Sequence, residues 1–201
     1  MLERRSALAA HPCNVPGTRV GPPDQTDARV RVAERRPLAI LQVNAFGDTH
    51  AQTEKRLAEV FGIPAPAPNR WSGTRERNLR LTGPGTWQIV GNEGGLLEVP
   101  ALRQDLADIA AVVDLSHART ALHVAGPAAP ATLAKHCGLD LHASSFPTGS
   151  ATNTRFGHLG ITLARLGDAP TFELLVFRGY AEFVFDALIE AGREYGLLVA
   201  A

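Results

Sequence analysis

Two stretches of the chain oblige neighbouring strands to run antiparallel. In NLRLTGPGTWQIVG (78–91), Leu79 and Leu81 alternate, Pro84-Gly85 fits the central positions of a type II turn, and Trp87 and Ile89 mark the returning strand. GITLARL and TFELLVF (160–166 and 171–177) are joined by GDAP alone, too short for anything but a second hairpin. A sheet assembled this way buries one face, and the helix signals supply its cover. QTEKRLAEVFG (52–62) places Leu57, Val60 and Phe61 on one side and stops at Gly62. Leu102 and Leu106 stand at i, i+4 in a helix near 100–108, and GPAAPATLAKHC (126–137) opens a third with Gly126 as a plausible N-cap. The last helix runs from about Tyr180 to Tyr195.

With strands at LAILQVNA (38–45), AAVVDLS (110–116) and RTALHVA (119–125), the order is β-α-β-β-α followed by β-β-α-β-β-α. The expectation is an α+β fold: antiparallel sheets with helices packed on one face, in two similar α/β halves. The boundaries expected are a flexible N-terminal tail over 1–36, a first half over 37–109 and a second over 110–201. Pro12, Pro16, Pro22 and Pro23, with few large apolar neighbours, motivate the tail. Thr82-Gly83-Pro84 and Ala125-Gly126-Pro127 look alike, but one turns back into a strand and the other starts a helix, which argues against a true internal repeat.

Twenty basic side chains balance twenty acidic ones, which argues against nucleic acid or an anionic membrane as a partner. No apolar run reaches ~18 residues, and the segment before His11 is too short for a secretory core, so a cytoplasmic protein is expected. Cys13 and Cys137 imply no disulfide framework.

The motifs with chemical potential are few. Asp114, Ser116 and His117 invite a hydrolase triad, yet alternation separates His117 from the other two, and no G-x-S-x-G surrounds the serine. Asp114 and Ser116 better suit backbone hydrogen bonding at a strand end. His136, Cys137 and His142 match no zinc spacing. The glycines of GPGTW and GNEGG form neither a dinucleotide nor a phosphate loop. The reading therefore assigns no catalytic residue, cofactor ligand or metal ligand to this chain. It assigns a candidate subunit interface instead. Phe185 and Ile189 lie at i, i+4 beyond the apolar stripe of the last helix, and Arg119 and His123 share the strand face opposite Thr120, Leu122 and Val124.

Four segments in order carry a resemblance: RLTGPGTWQIV (80–90), VVDLSHARTALHVAGPAAPATLAKHCGLDLH (112–142), SFPTGSATNT (145–154) and TFELLVFRGYAEFVFDALIEAGREYG (171–196). Together they resemble the gamma subunits of heterotetrameric sarcosine oxidases, whose fold is shared with the folate-binding glycine-cleavage T-protein. DLSHARTALHVAGPAAPATL is, on that resemblance, framework common to both groups. The T-protein pattern holds folate with paired aspartates after its PTG-type strand; the corresponding FGHLGITLARL (156–166) has no carboxylate. The resemblance implies a non-catalytic assembly subunit without a cofactor of its own. Its partners would be alpha, beta and delta subunits carrying tetrahydrofolate and NAD, the flavins FAD and FMN, and zinc. The implied reaction is oxidative demethylation of sarcosine to glycine, yielding hydrogen peroxide and formaldehyde or methylene-tetrahydrofolate. The alternative, a free-standing folate-dependent aminomethyltransferase-like protein, is disfavoured by the missing carboxylates and by length.

Overall fold

The computed structural model describes residues 5–22, 27–36, 38–92 and 99–200. In chain order the elements are β1 (Arg19–Val20), β2 (Val30–Glu34), β3 (Ala39–Ala45), α1 (His50–Phe61), β4 (Arg70–Gly73), β5 (Arg77–Gly83), β6 (Thr86–Gly91) and α2 (Val99–Asp105). There follow β7 (Ala110–Asp114), β8 (Arg119–Ala125), α3 (Ala129–Ala134), β9 (Ala151–Phe156), β10 (Leu159–Gly167), β11 (Thr171–Phe177), α4 (Ala181–Gly192) and β12 (Leu197–Val199), with 3₁₀ turns at Arg178–Tyr180 and Arg193–Tyr195 flanking α4. They form two compact units. The first comprises 1–35, 117–148 and 153–201, the second 36–116 and 149–152.

The second unit is a five-stranded antiparallel sheet in the order β4-β5-β6-β3-β7. The first hairpin forms as its spacing requires: Leu79 faces Ile89 and Leu81 faces Trp87 across the ladder, and Gly85 takes the left-handed φ of 62° that its turn needs. Helices α1 and α2 cover one face, where Leu57, Phe61 and Leu102 pack with Leu41, Val43, Leu79, Trp87 and Ile89. Helix α1 ends at Gly62, whose φ of 61° satisfies the usual C-terminal stop. Of GNEGG (91–95), only Gly91 and Asn92 fall within the described residues.

The first unit is a seven-stranded sheet in the order β1-β12-β2-β8-β11-β10-β9. Helices α3 and α4 lie on one face over a core that joins Val30, Val32, Leu122, Val124, Leu163, Phe172 and Leu174 to Leu133, Val184 and Leu188. Both units thus repeat the expected plan of antiparallel sheet with helices on one side. One pairing departs from it: β12 runs parallel to β2.

That pairing corrects the reading of 1–36 as a flexible tail. Strand β2 lies inside the sheet, parallel to β12 and antiparallel to β8, with Val30 and Val32 fully buried. Leu8 is fully buried as well. The alternating Val-Arg-Val of 30–32 carried a strand signal, but a short one whose hydrogen-bonding partners lie about 90 and about 170 residues away in sequence. The boundary at 109/110 also moves. Strand β7 pairs with β3 and belongs to the second unit, and the chain crosses between Ser116 and His117. Gly126 is not the cap of α3, a place held by Ala128. With φ of 115°, Gly126 lets the chain pass so near β2 that a Cβ there would sit 2.3 Å from the Arg29 carbonyl oxygen.

Deletion of residues 1–36 is therefore expected to abolish cooperative folding of the first unit, because it removes an internal strand. Loss of the cooperative transition, followed by circular dichroism and proteolysis, is the outcome that checks this; a dispensable tail would leave it intact.

Candidate functional site

On the first unit's sheet face opposite the helices, two cross-strand pairs bring charge and aromatic groups together. His123 of β8 faces Glu173 of β11, and Arg119 faces Phe177. The Glu173 carboxylate is fully buried in the middle of the apolar run TFELLVF. It accepts hydrogen bonds from Arg35 Nη1 at 2.9 Å and lies 2.9 Å from His123 Nε2. Arg35 is held there because its backbone N–H continues the ladder to the Ala121 carbonyl at 2.9 Å. A carboxylate buried this deeply requires such partners. His123, expected at an interface, is therefore engaged within its own unit. Arg35 and Glu173 escaped the sequence reading, although a lone Glu inside an apolar strand was the signal that pointed to them.

Arg119 is held differently. Its guanidinium lies 3.6 Å over the Phe177 ring, its Nε is buried without an acceptor among the described residues, and burial pushes its pKa below the ordinary arginine value. Phe177 is half exposed, as are Tyr180 and Phe183.

The other proposed interface residues are corrected by the structure. Phe185 is fully buried and Ile189 is 7 % exposed, and both belong to the helix-covered core. Their second patch is covered by the chain's own N-terminal segment. The His11 ring meets Phe185 edge-on at 5.0 Å, and His11 Nε2 lies 2.9 Å from Asp186 Oδ1. Tyr180, expected as the start of the last helix, is exposed and lies in a 3₁₀ turn preceding α4.

The Asp114-Ser116-His117 segment does not converge. The Ser116 backbone N–H donates to Asp114 Oδ1 at 2.8 Å, Ser116 Oγ accepts from the Ile40 N–H at 2.9 Å, and His117 is exposed. The serine oxygen thus fastens the end of β7 to β3. His136 stacks on Phe156 at 4.7 Å, Cys137 is buried beside Thr154, and His142 Nδ1 lies 2.8 Å from Ser144 Oγ. The Asp140 carboxyl, held below the usual carboxylate range by Ser145 and then by the His142 N–H, fastens that loop. These side chains serve three separate local structures.

The second unit holds a cleft of about 430 Å³ between the start of α1 and the β5–β6 hairpin, lined by His50, Glu54, Asn69, Leu81, Gly85 and Trp87 among others. Trp87 is 1 % exposed and part of the core, and its indole N–H has no hydrogen-bond partner among the described residues.

The chain matches the GCVT N-terminal domain family over residues 86–201. The sarcosine oxidase gamma subunit of Corynebacterium sp. (strain P-1) is 30% identical over 141 residues, covering 69% of each chain. Among solved structures, a chain of the heterotetrameric sarcosine oxidase from Corynebacterium sp. U-96, in complex with pyrrole 2-carboxylate, matches with a TM-score of 0.77 and 25% identity over 96% of both chains. The glycine cleavage system aminomethyltransferase T of Bartonella henselae matches with a TM-score of 0.62 at 17% identity, over 86% of this chain and 48% of that one. The last likeness is one of fold.

Two substitutions check the geometry. Glu173→Ala leaves Arg35 and His123 without their shared carboxylate and is expected to cost about 3–5 kcal/mol in denaturant unfolding; a loss under about 1 kcal/mol would place the group in a solvated setting. Phe185→Ala is expected to cost about 3–5 kcal/mol, as truncation of a core aromatic does. A near-neutral result there would restore Phe185 to the surface.

Proposed function

We propose a function from one premise: this chain belongs to the family of sarcosine oxidase gamma subunits and carries the GCVT N-terminal domain over residues 86–201. It acts as a structural and assembly subunit of a heterotetrameric sarcosine oxidase, whose reaction is the oxidative demethylation of sarcosine to glycine. In that reaction a flavin held by a partner would accept the two electrons and two hydrogens removed from the N-methyl carbon and its nitrogen and return them to dioxygen as hydrogen peroxide, and water would supply the oxygen of formaldehyde. The methyl carbon leaves as formaldehyde or methylene-tetrahydrofolate. The observation that carries this reading is the end-to-end match, 96% of both chains, with a chain of a heterotetrameric sarcosine oxidase.

On β10 and the strand beside it, the residues do not fit the folate that the fold family implies. Strand β10 bears no carboxylate along LGITLARLG. The carboxylate facing it across the ladder, Glu173 opposite Ala164, is already committed to Arg35 and His123. A carboxylate tied into two internal pairs is poorly placed to receive a pterin's N–H groups. We therefore assign tetrahydrofolate, NAD, FAD, FMN and zinc to the alpha, beta and delta partners and none of them to this chain. Catalysis then falls to the partners, and this subunit supplies surface and stability in the cytoplasm. A free-standing aminomethyltransferase is the weaker reading, since the likeness to such an enzyme is one of fold alone.

Co-expression with the candidate alpha, beta and delta chains tests the proposal. The expected result is one co-purifying complex with flavin absorbance and sarcosine-dependent hydrogen peroxide production, while the isolated chain has neither. A chain that purifies alone, takes up stoichiometric tetrahydrofolate and transfers a one-carbon unit would overturn it.

A further inference from the structure

Phe177, Tyr180 and Phe183 follow one another at three-residue spacing, from the end of β11 through the 3₁₀ turn into α4, and are 47–52 % exposed. A monomer seldom leaves such aromatic surface in water. One cation borders it and a second adjoins it in sequence. The Arg119 guanidinium lies over Phe177, and the Arg178 N–H donates to the Ala118 carbonyl at 2.9 Å, which ties the turn to the start of β8. Among the described residues, neither Arg119 nor Arg178 has a carboxylate or other acceptor for its guanidinium. Many arginines elsewhere in the chain are paired, as Arg35 is with Glu173, Arg56 with Asp105 and Arg193 with Glu190. Arg119 is also half-desolvated, so its unmet hydrogen-bonding capacity is costly unless an anion arrives.

We propose that this corner docks another subunit of the oxidase. The partner segment sets an acidic side chain against Arg119 and Arg178 and lays an apolar side chain among Phe177, Tyr180 and Phe183. Exposed aromatics beside unpaired arginines have the composition of an interface centre. The charge selects the occupant. A second copy across a two-fold axis would bring the same two arginines together. An acidic partner segment leaves no like charges opposed. The inference rests on the reading of this chain as a subunit of that complex.

The test co-expresses the chain with its alpha, beta and delta partners and measures the amount of complex recovered. Tyr180→Glu combined with Phe183→Glu is expected to reduce recovery at least about tenfold, the effect of losing an interface hot spot. The isolated variant should keep the circular dichroism and thermal midpoint of the parent chain. Phe46→Glu, at an equally exposed aromatic of the second unit, should assemble normally. Arg178→Glu should weaken assembly and Arg178→Lys should largely retain it, which decides the matter if the double variant fails to fold. Full assembly of the double variant, or of Arg178→Glu, overturns the docking surface while leaving the subunit role standing. Equal loss with Phe46→Glu overturns it as well, as does a homodimer of the isolated chain that the double variant abolishes. A parent chain that assembles with nothing overturns the subunit role and this inference together.

Discussion

The pairing of β2 with both β12 and β8 holds the first unit together. Residues 30–32 bring the start of the chain into contact with its end, Val30 opposite Leu197 and Val32 opposite Val199, while 31–34 bind the middle of the chain at 122–125. Remove this strand, and the β1–β12 pair loses its attachment to the remaining four strands of the sheet. The same entry point controls α3. The Arg29 carbonyl just before β2 accepts the Ala128 N–H, and Gly126 passes close enough to exclude any side chain. Such long-range closure is costly in chain entropy and is repaid only when the whole sheet forms.

Legibility followed the range of the interactions. The 78–91 hairpin, the stop of α1 at Gly62 and the hairpin over 160–177 were readable because turn chemistry and alternation act within a dozen residues. The placement of β2 and β12 was not, because three to five residues carry little pattern and their stability comes from partners elsewhere in the chain. The interface reading failed at Phe185 for the same reason. A helical wheel drawn from α4 alone shows which residues are apolar, but not that the segment around Leu8 and His11 covers a second side of the helix. Phe183 was overlooked because one aromatic at i+3 from Tyr180 looks unexceptional until both are found in solvent.

The far face of the first unit's sheet shows how one framework can carry different chemistry. Glu173 and His123 occupy facing positions on β11 and β8, and Arg119 and Phe177 occupy the facing positions four residues along the latter strand. In the first pair the charge is closed off, because Arg35 and His123 take up the carboxylate. In the second pair the cation has an aromatic ring beneath it and, among the described residues, no anion, so its interaction capacity remains open. Neutralising a buried charge internally favours rigidity, whereas leaving a half-buried one unpaired favours association.

The same contrast suggests how a chain of the GCVT fold can use its sheet face for something other than a ligand. A sheet-and-helix unit needs one face for its own core. The opposite face must be satisfied in some other way: by a bound small molecule, by internal ion pairs or by another protein. In this chain the ladder position beside β10 is filled by an internal carboxylate cluster rather than by free carboxylates. In the first unit, Arg119 Nε has no acceptor among the described residues, and three half-exposed aromatics run from the end of β11 into the start of α4. A small-molecule pocket needs concavity and convergent polar groups. Three half-exposed aromatics with two arginines present neither; they present area and charge, which are the requirements of protein recognition.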